Sequence, residues 1–98
     1  MWLTGKKLSA IGLTPNQSAT IITKLLMCGA KHKKVKSISI MYRRGSPVEV
    51  INWVRAVDLD DAIIKLSEWI NMSKPNGKVK LNKWCHVVVM LKILREKI

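Results

Sequence analysis

Cys28 and His32 stand four residues apart, and Cys85 and His86 are adjacent. Zinc takes such ligands in a tetrahedral set of four. The first pair suits one helix face, but neighbours such as Cys85 and His86 point to different faces, so no metal centre is expected. Asp58, Asp60 and Asp61 could do acid–base work, yet three acids before an apolar periodic run read better as a helix N-terminus, where they favour the dipole. No glycine-rich phosphate loop, nucleophile elbow or Cys/His dyad is visible, so neither an enzyme nor a cofactor is expected. The chemistry with most support is polar and cationic. Asn16, Gln17, Thr20 and Lys24 fall largely on one face of a helical pattern, and amides and hydroxyls hydrogen-bond to base edges and phosphates. Lys31, Lys33, Lys34 and Lys36 follow, then Arg43 and Arg44. In this arrangement the lysines would meet phosphates and the arginines a narrow minor groove, where negative potential is concentrated.

The charge that surrounds these residues is laid out in blocks. Residues 1–48 carry nine Lys or Arg and no acid, residues 49–73 are net −3, and residues 74–98 are net +6, giving +12 over 98 residues. With 48% apolar content the chain is no disordered polybasic tail. It has the length of one domain, and a compact domain this basic calls for an anionic partner. No apolar run approaches the ~20 residues of a membrane span, the N-terminus lacks the pattern of an export signal, and two cysteines make no disulfide framework. A cytoplasmic protein is expected.

The elements that must position these groups follow from caps and periodicity. Thr4 to Ile11 reads as a short helix, broken at Gly12, with Leu13 plugging the turn. Thr14-Pro15-Asn16-Gln17 carries a capping box with proline at the first helical position. The helix it opens runs to Met27 or Cys28 and ends at Gly29, with Ser18, Ile22, Leu25 and Leu26 on its inner face. Val35–Tyr42 and Val48–Val57 read as strands joined through Arg43-Arg44-Gly45-Ser46-Pro47. Asp58–Met72 and Leu81–Lys97 read as helices around a turn at residues 73–78. Val87-Val88-Val89 leaves a strand open for the last of them. The four tryptophans, with no phenylalanine present, are expected in the core.

This order predicts an α+β domain over residues 1–98. A winged helix-turn-helix with a two-stranded wing occupies 2–57, and additional C-terminal helices, 58–98, complete the core or form a dimer interface. Three segments, Thr4 to Thr14, Ala19 to Leu26 and Val54 to Asp60, resemble the CaiF/GrlA type of transcriptional activator over residues 2–62. The resemblance implies a recognition helix over Pro15–Met27 and a wing around Arg43–Pro47. Those regulators carry a further helix before the position of Trp2, and the last helix here would fill that slot or pack against a second copy. The opening is also similar to phage excisionases and MerR-type domains, which begin on a Trp-containing strand. The function expected is sequence-specific binding of double-stranded DNA in transcription regulation. The alternative is a small phage- or plasmid-type inhibitor that binds a host nucleic-acid enzyme or ribonucleoprotein.

Overall fold

A computed structural model describes residues 1–73 and 75–97; within the turn expected over residues 73–78, Lys74 lies outside the described residues, as does Ile98. The element order is β1 (Trp2–Leu3), α1 (Gly5–Ala10), α2 (Pro15–Met27), β2 (His32–Arg43), β3 (Ser46–Asp58), α3 (Leu59–Ser73) and α4 (Lys78–Glu96). The described residues are thus α+β, with four helices and a three-stranded antiparallel sheet in the order β1-β3-β2.

Local chemistry sets the ends of the first two helices. The Thr4 side chain accepts from the Lys7 amide and opens α1. In α2 both halves of the capping box form: Thr14 Oγ1 accepts from the Gln17 amide at 3.2 Å, and Gln17 Oε1 accepts from the Thr14 amide at 3.0 Å. At the other end the Gly29 amide donates to Leu26 and the Ala30 amide to Leu25. This paired closure needs a left-handed residue, which Gly29 supplies at φ +85°. Ala30, just beyond, is buried and starts the chain back toward the sheet.

The hairpin is longer and tighter than its sequence pattern suggests. Twelve pairs run from His32↔Val57 to Arg43↔Ser46, a ladder about 37 Å long in a molecule of 50 × 25 × 25 Å. The loop is two residues, Arg44 and Gly45, both at positive φ, the pattern whose twist matches that of the strands. Strand β1 pairs only at Trp2↔Asp58 and Leu3↔Val57. The base of the hairpin is therefore held in a sheet, and the rest is a two-stranded ribbon.

Asp58 accepts from the Asp61 amide and caps α3. The valine run is helical: Trp84, Val87, Val88 and Leu91 recur at i, i+3, i+4 and i+7 and are buried, while Val89 faces outward. The ring of Trp84 meets Trp69 edge to face, 6.0 Å between centroids. One cluster joins Leu3, Leu8, Leu25, Val57, Leu66 and Leu91, so every element but β2 reaches the core, the ribbon through the base of β3 alone. On the inner face of α2, Ile21 is buried with Ser18 and Leu25, and Ile22 and Leu26 pack at the margin. Trp53 departs from its expected core position: it is 69% exposed, because it lies on the ribbon beyond the sheet.

Candidate nucleic-acid interface

The outward side of α2 is narrower than the polar face of its sequence. Asn16, Ala19, Thr20 and Thr23 are exposed along it, with Met27 at its end. Along one flank Pro15, Ile22 and Leu26 line a groove against Val54 and Arg55 of β3. Along the other, Asn16, Gln17 and Thr20 line a groove against Lys83 and His86 of α4. A strip of amide, hydroxyl and methyl groups thus runs between an arginine on one bank and a lysine on the other.

Two of the expected contact residues are drawn off this strip. The Gln17 side chain is held by the amide of Thr14 in the capping box. The Lys24 ammonium lies 4.5 Å from the centre of the Trp69 ring and 5.6 Å from that of Trp84. There it gains a cation–π contact of about 0.5–2 kcal/mol and ties α2 to the C-terminal helices. Thr20 keeps its exposure, with its hydroxyl donating to the Asn16 carbonyl at 2.8 Å. Asn16 is the amide left without a side-chain partner among the described residues.

The basic residues after α2 run up the ribbon. The Lys31 amide donates to Asp61, which fixes the strand's start. Lys33 lies over the Trp2 ring, 4.4 Å from its centre. Lys34 and Lys36 are exposed on the opposite face. Arg43 closes the ladder, and Arg44 forms the loop at the tip. Arg55, which sequence reasoning passed over as one charge in an acidic block, stands across from Lys34 and donates to His32 Nδ1 at 2.9 Å. Lys83 was also missed, and only the packing of α4 beside α2 brings it to the strip.

Among the described residues the one ion pair is Arg95–Asp60, at 3.4 Å. None of the nine cations of residues 1–48 is paired there. Asp58 and Asp61 spend their carboxylates on backbone amides. No group of three metal-ligating side chains is found among the described residues, and no described helix is long and apolar enough to cross a membrane. Cys28 is half-buried at the end of α2, where burial pushes its thiol upward against the smaller opposing pull of Lys24. Cys85 is exposed on α4.

No family model, curated protein or solved structure matches this chain. What it binds must be argued from the surface itself.

Proposed function

We propose that the chain is a sequence-specific, double-stranded DNA-binding transcription regulator of winged-helix type, with α2 as recognition helix and the β2–β3 hairpin as wing. One observation carries this reading: an uncharged strip, Asn16 to Thr23, lies between Arg55 and Lys83 on a surface whose cations are not neutralised by the chain's own acids. Helices that enter a major groove place short hydrogen-bonding side chains at base edges and cations at the phosphates on either side. The order of strand, helix pair and hairpin supports the same arrangement. The first turns of α2 would enter deepest, so Asn16 and Thr20 would read bases, and Arg55, Lys83 and Lys31–Lys36 would meet phosphates.

The test is a pair of titrations for each variant, one on a site selected from random duplexes and one on scrambled duplex. Asn16→Ala is expected to weaken the selected site alone, by about 1–3 kcal/mol, the worth of one bidentate base contact. Lys83→Ala is expected to weaken both duplexes by a similar factor. If Asn16→Ala lowers both affinities equally, α2 reads no bases and the proposal fails.

This reading leaves one surface without a task. The apolar side chains of the ribbon are not those a phosphate backbone calls for.

A further inference from the structure

Alternation along the ribbon separates its two faces. One face carries Val35, Ser37 and Val50, all half-buried, with Met41, Val48 and Val54 more open, and its lower part lies beside Thr4 and the first residues of α1. On the other, every residue from Lys34 to Tyr42 and from Pro47 to Arg55 is exposed. Five of these are large apolar residues: Ile38 at 56%, Ile40 at 62%, Tyr42 at 75%, Ile51 at 54% and Trp53 at 69%. Monomeric proteins rarely leave contiguous apolar patches of more than a few hundred Å² in water, and a lone two-stranded ribbon is marginal at best.

We propose that this face is a dimer interface, in which the ribbons of two copies of the chain lie face to face and antiparallel about a two-fold axis at the Ile38/Ile51 pair. The argument is self-complementarity. The register divides the face into five cross-strand rows: Lys34/Arg55, Lys36/Trp53, Ile38/Ile51, Ile40/Glu49 and Tyr42/Pro47. The middle row is apolar on both strands. Turning a second ribbon end for end lays that row on itself. The row holding Glu49, the ribbon's one acid short of its base, then meets the second copy's row holding Lys36. Each copy's carboxylate then lies one strand across from the other's ammonium, a diagonal within reach of long side chains, twice in one interface. The outer rows place Tyr42 against the second copy's Lys34 and Arg55, a cation against an aromatic ring.

The parallel arrangement would lay the Lys34/Arg55 row on itself, each lysine on the second copy's arginine, and like charges so placed oppose association. A two-fold interface must satisfy each patch with itself, and the antiparallel arrangement does so for both apolar and charged rows. The outer side of α4 is a poorer candidate: its exposed apolar residues, Val79, Leu81, Val89 and Ile93, stand on a helix with five cations and Glu96 as its one acid, so two copies would bring like charges together. The rows offer less than the roughly 800 Å² per partner of a standard interface, so a reversible dimer in the micromolar range is expected rather than a permanent one. This inference does not depend on what α2 binds, but the two surfaces share Lys34, Lys36 and Arg55, which the second copy would draw away from phosphate.

Sedimentation equilibrium of the whole chain without DNA tests it. At about 100 μM, well above a micromolar dissociation constant, the mass should approach twice the 11.1 kDa of the chain. Ile38→Glu should shift it to the monomer. Because Ile38 is exposed in the single chain, far-ultraviolet circular dichroism should remain that of the parent. Lys36→Glu and Glu49→Lys should each weaken the dimer by about tenfold or more, and the double variant should restore it, since the swapped charges meet again across the axis. The exchange works whether or not Ile38→Glu folds. A monomer at that concentration overturns the proposal and leaves the face to a different protein. A dimer that ignores both Ile38→Glu and the charge exchange overturns it too, by placing the interface elsewhere.

Discussion

Two amides stand side by side at the start of α2, and the fold gives them different work. The Gln17 carboxamide accepts from the Thr14 amide, while Thr14 accepts from the Gln17 amide in return. Its cost when lost belongs to the helix: Thr14→Ala should lower stability by about 1 kcal/mol, the usual worth of an N-cap, and Gln17→Ala by less. Thermal unfolding followed by circular dichroism measures both. Under the proposed reading, Gln17→Ala should leave the preference between selected and scrambled duplex close to that of the parent. A collapse of preference with no loss of stability would mean that Gln17 leaves its cap to read a base. The sequence itself shows this division, because the spacing Thr14-x-x-Gln17 reads as a cap. Lys24 is different. Its periodicity places it with the polar face, and only the packing of α3 and α4 brings Trp69 and Trp84 under its ammonium. No local pattern in residues 15–27 could announce that contact.

At the scale of elements, what the sequence showed was whatever depends on near neighbours. Caps, breaks and periodicity place all four helices, and the strands lie where β-branched residues alternate. What it hid is where the hairpin stops touching the body. Ile38, Ile40, Ile51 and Trp53 have the composition of a buried strand, so their exposure follows from topology: β1 is two residues long and pairs with the last two of β3 alone. The tip makes the point most sharply. Five residues looked like a loop, yet Arg43 and Ser46 pair and Pro47 sits in the strand. That leaves Arg44 at φ +51°, a left-handed conformation with a cost for a residue that bears a Cβ. Asparagine tolerates it better, so Arg44→Asn should stabilise the hairpin by about 0.5 kcal/mol while removing one tip cation. Arg43→Ala with Arg44→Ala should weaken duplex binding and keep the parent's circular dichroism and unfolding midpoint within about 0.5 kcal/mol, as exposed sites away from packing do. Unfolding of that double variant would show that the pair supports the ribbon, and would remove it from the proposed interface.

The molecule as a whole carries a charge it does not neutralise. Its acids are concentrated in residues 49–73, and three of them are occupied within the fold: Asp58 by a helix cap, Asp61 by the Lys31 amide, Asp60 by Arg95. The cations of residues 1–48 are left to repel one another across α1, the last turn of α2 and the length of the ribbon. Self-repulsion of this kind costs stability, and a polyanion relieves it. The relief has a quantitative signature, because each phosphate neutralised releases condensed counterions. If about six phosphates are contacted, duplex affinity should fall by roughly 10³ between 50 and 200 mM salt. The slope also separates the two proposed surfaces. The cations that meet phosphate set the salt dependence of duplex binding, whereas the apolar rows of the ribbon should hold two chains together almost as well at high salt as at low. A mobility-shift titration over that salt range, run beside sedimentation without DNA, distinguishes them. A flat duplex response would end the electrostatic argument for DNA, whatever the ribbon does, and a dimer that dissociates as steeply as the duplex complex would show that charge, not the isoleucine pair, holds the ribbons together.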